Sequence, residues 1–103
     1  MYRVYECELG KRIDVTKILE ADPFADDSFA RNGYKVKDGS VLEEDKSKLF
    51  VYIKASEDFL KKADIRLKGI AEPAPAEVQK RVGEKIVKEE EQAESGFGAI
   101  FGE

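Results

Sequence analysis

The chain contains no histidine and no tryptophan, and only one cysteine, one methionine and three prolines among 103 residues. Without histidine, Ser-His and Cys-His nucleophilic catalysis and a histidine-ligated metal are excluded. The lone Cys7 permits no intramolecular disulfide, which leads us to expect a reducing, cytoplasmic setting. No apolar run approaches the roughly 18 residues of a membrane span. Met1 to Glu6 alternate polar and apolar and carry charge, so a signal peptide is not expected. No phosphate-binding glycine loop is present, because Gly96-Phe97-Gly98 follows a predicted helix instead of a strand. No internal repeat is found.

Charge is abundant, at 39% of residues, beside 42% hydrophobic residues. That apolar content is too high for a disordered chain and suits one domain with one core. A dense, ion-paired surface of this kind would suit a thermophile. Residues 1–87 balance 17 basic against 17 acidic side chains. Residues 88–103 hold Lys88 against Glu89, Glu90, Glu91, Glu94 and Glu103, and so carry the whole net charge of −4. A neutral body with an acidic end is a poor general binder of nucleic acid.

Residues 2–9 alternate, with Tyr5, Cys7 and Leu9 on one face and Tyr2, Val4, Glu6 and Glu8 on the other, as in a strand. Asp14 caps a predicted helix carrying Val15, Ile18 and Leu19, which Pro23 stops. A short helical turn over residues 27–31 ends at Asn32-Gly33. Asp38-Gly39 between residues 34–37 and 40–43 predicts a hairpin. Residues 48–54 form the clearest strand, with Leu49, Val51 and Ile53 opposite Phe50 and Tyr52. Ser56 caps a helix bearing Phe59, Leu60, Ala63 and Leu67, and Ile70-Ala71-Glu72 is a short edge strand.

The order predicts an α+β fold: a small antiparallel sheet with helices on one face, in the split βαβ, ferredoxin-like arrangement, plus a C-terminal helix. The organisation expected is an α+β domain over residues 1–72, a Pro-rich linker over 73–75, a charged amphipathic helix over 76–95 and an apolar Gly-rich tail over 96–103. Val78, Val82 and Ile86 make a narrow apolar stripe on that helix, and Gly83 weakens it by roughly 1 kcal/mol against alanine. Together with Phe50 and Tyr52 they are candidate interface residues for self-association.

No cofactor or metal is called for. Asp22, Asp26 and Asp27 cluster near a helix break, but their spacing is not that of an EF-hand and the loop glycine is missing, so solvated capping residues are the plainer reading. Cys7 reads as a small core residue. Phe50 and Tyr52 share a sheet face with Tyr2 and Val4, where proteins of this architecture stack RNA bases. Glu6 and Glu8 share it too and repel phosphate, so a face covered by the 76–94 helix or by a second subunit is the simpler expectation.

In the final residues, Phe97, Ile100 and Phe101 stand at i, i+3 and i+4, one face of a helix suited to a hydrophobic groove. Three glycines disfavour that helix in isolation, so a tail that orders on contact is expected. The run from Lys88 to Ser95, then Gly96-Phe97-Gly98-Ala99-Ile100-Phe101-Gly102, resembles the tail of archaeal ribosomal stalk proteins. Those tails join a Glu/Lys-rich run and a small-residue hinge to Gly-Leu-Gly-Ala-Leu-Phe-Gly. Gly96, Gly98, Ala99, Phe101 and Gly102 match in kind, while Phe97 and Ile100 replace leucines. The likeness implies capture of translational GTPases, and of a ribosome-recycling ATPase, through the apolar residues. It does not extend to residues 1–87.

The favoured expectation is thus a non-enzymatic adaptor whose partner-binding residues are Phe97, Ile100 and Phe101. A structural homodimer with the tail packed on the body or on the partner subunit is the alternative, and a carboxylate-dependent enzyme the third.

Overall fold

A computed structural model describes the backbone of residues 1–101 and the side chains of residues 1–91. Strand β1 (Tyr2–Glu8) leads through a 3-10 turn (Leu9–Lys11) into α1 (Arg12–Glu20). A loop and the short α2 (Phe29–Asn32) precede β2 (Tyr34–Asp38). Then follow β3 (Lys48–Lys54), α3 (Glu57–Leu67), the two-residue β4 (Glu72–Pro73) and α4 (Ala76–Phe101). The sheet order is β2-β3-β1-β4 and every neighbouring pair is antiparallel. That places β1 and β2 parallel with β3 between them, and β3 and β4 parallel with β1 between them, which is the split βαβ arrangement.

Alternation explains the two faces. Tyr5, Cys7, Leu49, Val51 and Ile53 join Val15 and Leu19 of α1 and Phe59, Leu60, Ala63 and Leu67 of α3 in one core. On the other face Val4, Phe50 and Tyr52 join Leu42 and α4's Val82 and Ile86 in a second core. A central strand buried on both sides needs apolar residues at every position, and β3 is buried from Leu49 to Ile53. The molecule is therefore layered: α1 and α3, sheet, α4.

Helix ends follow local chemistry in part. Ser56 Oγ accepts from the Phe59 N–H at 3.2 Å, capping α3 as the sequence predicts. Ser28 caps α2 in the same way, accepting from the Arg31 N–H at 3.1 Å. Asp14 lies inside the first turn of α1, because the 3-10 turn starts the helix earlier.

Four expectations are corrected. Residues 40–43 are turns, not a hairpin strand: Leu42 tucks beneath α4, 3% exposed, and β2 pairs directly with β3. Gly39 is needed for closeness there, since a β-carbon would stand 1.8 Å from the Asp45 carbonyl oxygen. The last edge strand is Glu72–Pro73 instead of residues 70–72. Residues 73–75 are tied down, the Ala74 N–H donating to the Val4 carbonyl at 2.9 Å. Finally α4 does not end at Ser95-Gly96 but runs on to Phe101. Gly and Ser lower helix propensity by under about 1 kcal/mol each, which an established helix absorbs.

Candidate functional site

Helix α4 lies across the aromatic face of the sheet. Phe50, Tyr52, Val82 and Ile86 are each under 5% exposed, with Val78 packed at the margin. All five candidate interface residues therefore meet one another inside the chain. Phe50, Tyr52, Val82 and Ile86 are buried at home and are not open to a second subunit or to stacked bases, while Val78 is partly buried at the edge of the contact. The Tyr52 phenol is pushed up by this burial, with the nearby Glu90 adding to it. Tyr2 stacks on Tyr52 at 5.4 Å and closes one end of the face.

A belt of polar contacts surrounds these apolar residues. Arg81 holds Glu44 with two nitrogens, at 2.9 and 3.0 Å, and Lys85 reaches the same carboxylate at 3.3 Å and the Leu42 carbonyl. The Arg81 hydrogen bonds hold the Glu44 carboxyl below its ordinary range. Further along α4, Glu89 pairs with Lys37 and Glu90 with Lys35, both from β2. At the start of the helix Gln79 Oε1 accepts from the Val4 N–H at 3.1 Å, and Gln79 Nε2 donates to the Ala74 carbonyl at 2.8 Å. None of these partners was singled out from sequence. The usable signal was Arg81 and Lys85 at i, i+4 beside the apolar stripe. Their acceptor lay 37 and 41 positions away.

On the opposite face a second polar group stands within the core. The Tyr5 hydroxyl, in a fully buried residue, donates to Asp64, with the Leu60 carbonyl 3.3 Å away, and Arg3 pairs with the same carboxylate. Burial, then the neighbouring Asp64, push the Tyr5 phenol far above its ordinary value. A phenol held so firmly protonated is a structural donor. The thiol of Cys7 is buried and likewise pushed up by burial, so it is a core side chain.

The acidic loop is occupied by ion pairs. Asp26 pairs with Arg31 and Asp27 with Arg66. Asp22 adopts a positive φ of 43° in the loop after α1. Among the described residues no group of three or more Cys, Asp or Glu is placed to hold a metal ion. A groove of about 450 Å³ opens nearby, lined by Lys17, Ile18, Ala21, Ser28, Arg66 and the two aspartates Asp22 and Asp27, with charges that balance. The Ser28 hydroxyl donates to the Pro23 carbonyl at 3.2 Å and accepts from the Arg31 N–H. No described helix is long and apolar enough to cross a membrane. The side chains of Phe97, Ile100 and Phe101, the expected partner-binding residues, lie outside the described residues.

Comparison with known proteins returns no match to a family model, a curated protein or a solved structure.

Proposed function

We propose that the chain is a non-enzymatic adaptor whose C-terminal segment docks on a protein partner, with a translational GTPase as the class that the tail's likeness to ribosomal stalk proteins implies. One observation carries the reading. The apolar stripe of α4 is consumed within the chain up to Ile86, and among the described residues the last side chains paired to the sheet are Glu89 and Glu90. The sequence then supplies a second apolar set, beginning at Phe97, which the sheet's own stripe does not require. Helix α4 runs to Phe101, and in the sequence Phe97, Ile100 and Phe101 stand at i, i+3 and i+4. Such a triplet is the pattern of a helix laid in a hydrophobic groove.

The test is titration of a purified translational GTPase against the labelled full chain and its Ile100→Ser/Phe101→Ser variant. Saturable binding that weakens by about tenfold or more in the variant, at an unchanged melting temperature, is expected, since anchor residues dominate binding energy. Absent binding, equal binding by the variant, or a collapsed melting temperature in a chain cut after Ser95 would overturn the proposal.

A further inference from the structure

The two edges of the sheet differ in kind. The β4 edge is two residues long and one of them is Pro73. Beside it both backbone groups of Val4 are taken, its N–H by the Gln79 side chain and its carbonyl by the Ala74 N–H. A short strand, a proline and a side-chain plug together blunt that edge against further pairing.

The β2 edge has none of these devices. Its five residues contain no proline, and its register against β3 runs unbroken from Tyr34↔Ile53 to Asp38↔Leu49. The bond from the Gly39 N–H to the Lys48 carbonyl, 2.9 Å, sets the alternation of the ladder. The backbone groups of Lys35 and Lys37 then face β3, and those of Tyr34, Val36 and Asp38 face outward. The Asp38 carbonyl accepts from the N–H groups of Val41 and Leu42. For the outward groups of Tyr34 and Val36 no protein partner exists among the described residues.

We propose that β2 is a self-pairing edge, and that two copies of this chain join there antiparallel about a two-fold axis at Val36. Geometry favours a second copy as the occupant. Centring on Val36 sets Val36 against Val36, and Tyr34 against Asp38 of the other copy. These are the three residues whose backbone groups face outward, so one register pairs both groups of Val36 with their copies and sets the Asp38 N–H against the Tyr34 carbonyl, the Asp38 carbonyl being already taken. An isologous contact of this kind closes on itself and does not propagate.

Charge points the same way. The register brings Lys35 beside Lys37 of the other copy, and like charges directly opposite normally keep edges apart. Here α4 supplies the counter-charges in each copy, Glu90 on Lys35 and Glu89 on Lys37. The edge is therefore neutral where its sequence alone looks repulsive. Half-buried Tyr34 and Val36 add apolar contact on the α1 and α3 side. One strand pair is a small interface, so weak association, on the order of micromolar, is expected.

Sedimentation equilibrium of the full chain over a wide concentration range tests the proposal, with amide hydrogen exchange at its two ends. A monomer–dimer equilibrium is expected, with concentration-dependent protection at the Val36 and Asp38 amides. Glu89→Lys/Glu90→Lys substitutes charge on solvent-facing groups and is expected to weaken the dimer by about tenfold or more. Val36→Pro removes an outward donor without touching the β2–β3 ladder and is expected to abolish dimerisation. Because Val36 packs partly on the core, the charge variant and the exchange data decide the matter if that protein fails to fold. A monomer at every concentration, a dimer without new protection at Val36 and Asp38, or a dimer indifferent to Glu89→Lys/Glu90→Lys overturns it.

Discussion

The ring of Tyr2 lies against the backbone of Gly83, so close that a β-carbon at position 83 would stand 2.4 Å from the ring's Cε2. A glycine that costs helix propensity is thus the notch that lets β1 and α4 approach. The partner ring is a half-exposed side chain next to Met1, free to swing away at the expense of its stacking on Tyr52.

That relationship predicts a change of sign. In the native background Gly83→Ala should fail to stabilise, because the new methyl displaces the Tyr2 ring. In a Tyr2→Ala background the same substitution should stabilise by about 1 kcal/mol, the ordinary helical preference. Urea unfolding of the four proteins of this cycle reads the coupling directly.

Ile86 is 1% exposed at the centre of the second core. Ile86→Ala should cost about 3 kcal/mol, within the range for large-to-small core changes. Val78, only packed at the margin, should cost less when cut to alanine. Equal and small losses from both, by denaturant unfolding, would mean that α4 does not cover the sheet.

The raised phenol of Tyr5 makes an alkaline prediction. Its folded value lies above the unfolded one, so its contribution is whole below about pH 10 and fades as pH rises beyond that. Stability should fall there by up to about 1.4 kcal/mol per pH unit for this group. Tyr5→Phe should remove its share of the slope while costing about 1 kcal/mol at neutral pH through the lost hydrogen bond. Unfolding free energies from pH 9 to 11 check both, with Tyr52, also raised, supplying a smaller remainder.

Glu44 predicts the opposite limb. Its carboxyl is held low by Arg81 and Lys85, so its contribution is present above the ordinary carboxylate range, about pH 4.3, and is lost as pH falls below that. Glu44→Gln should flatten the acid side of the stability profile and lower the neutral melting temperature slightly. High salt should shrink the difference, since both cations are solvent-facing. Thermal melts from pH 3 to 7 at low and high salt test this.

Much of the scaffold was legible because it is written locally. Alternation along residues 2–8 and 48–54 assigned each side chain to its sheet face, and both faces are as the pattern has them. The Ser56 cap and the Gly33 stop of α2 were equally local. The order of elements was enough to propose the sheet order, because short connections leave few topologies for such a chain.

What tertiary structure alone decided is everything that depends on distant segments meeting. Val78, Val82 and Ile86 read as a stripe seeking a partner, and only the folded chain shows that the partner is its own Phe50 and Tyr52. Residues 40–43 carry the alternation of a strand, but burying Leu42 beneath α4 turns them out of the sheet. Gly83 looks like a local defect until Tyr2 is placed against it, 81 positions earlier in the chain. Periodicity and capping are properties of neighbouring residues and survive in sequence. Close approach, ion pairing and the choice of which apolar face covers which are set by the packing of the whole, where each contact exists only because the others bring it into reach.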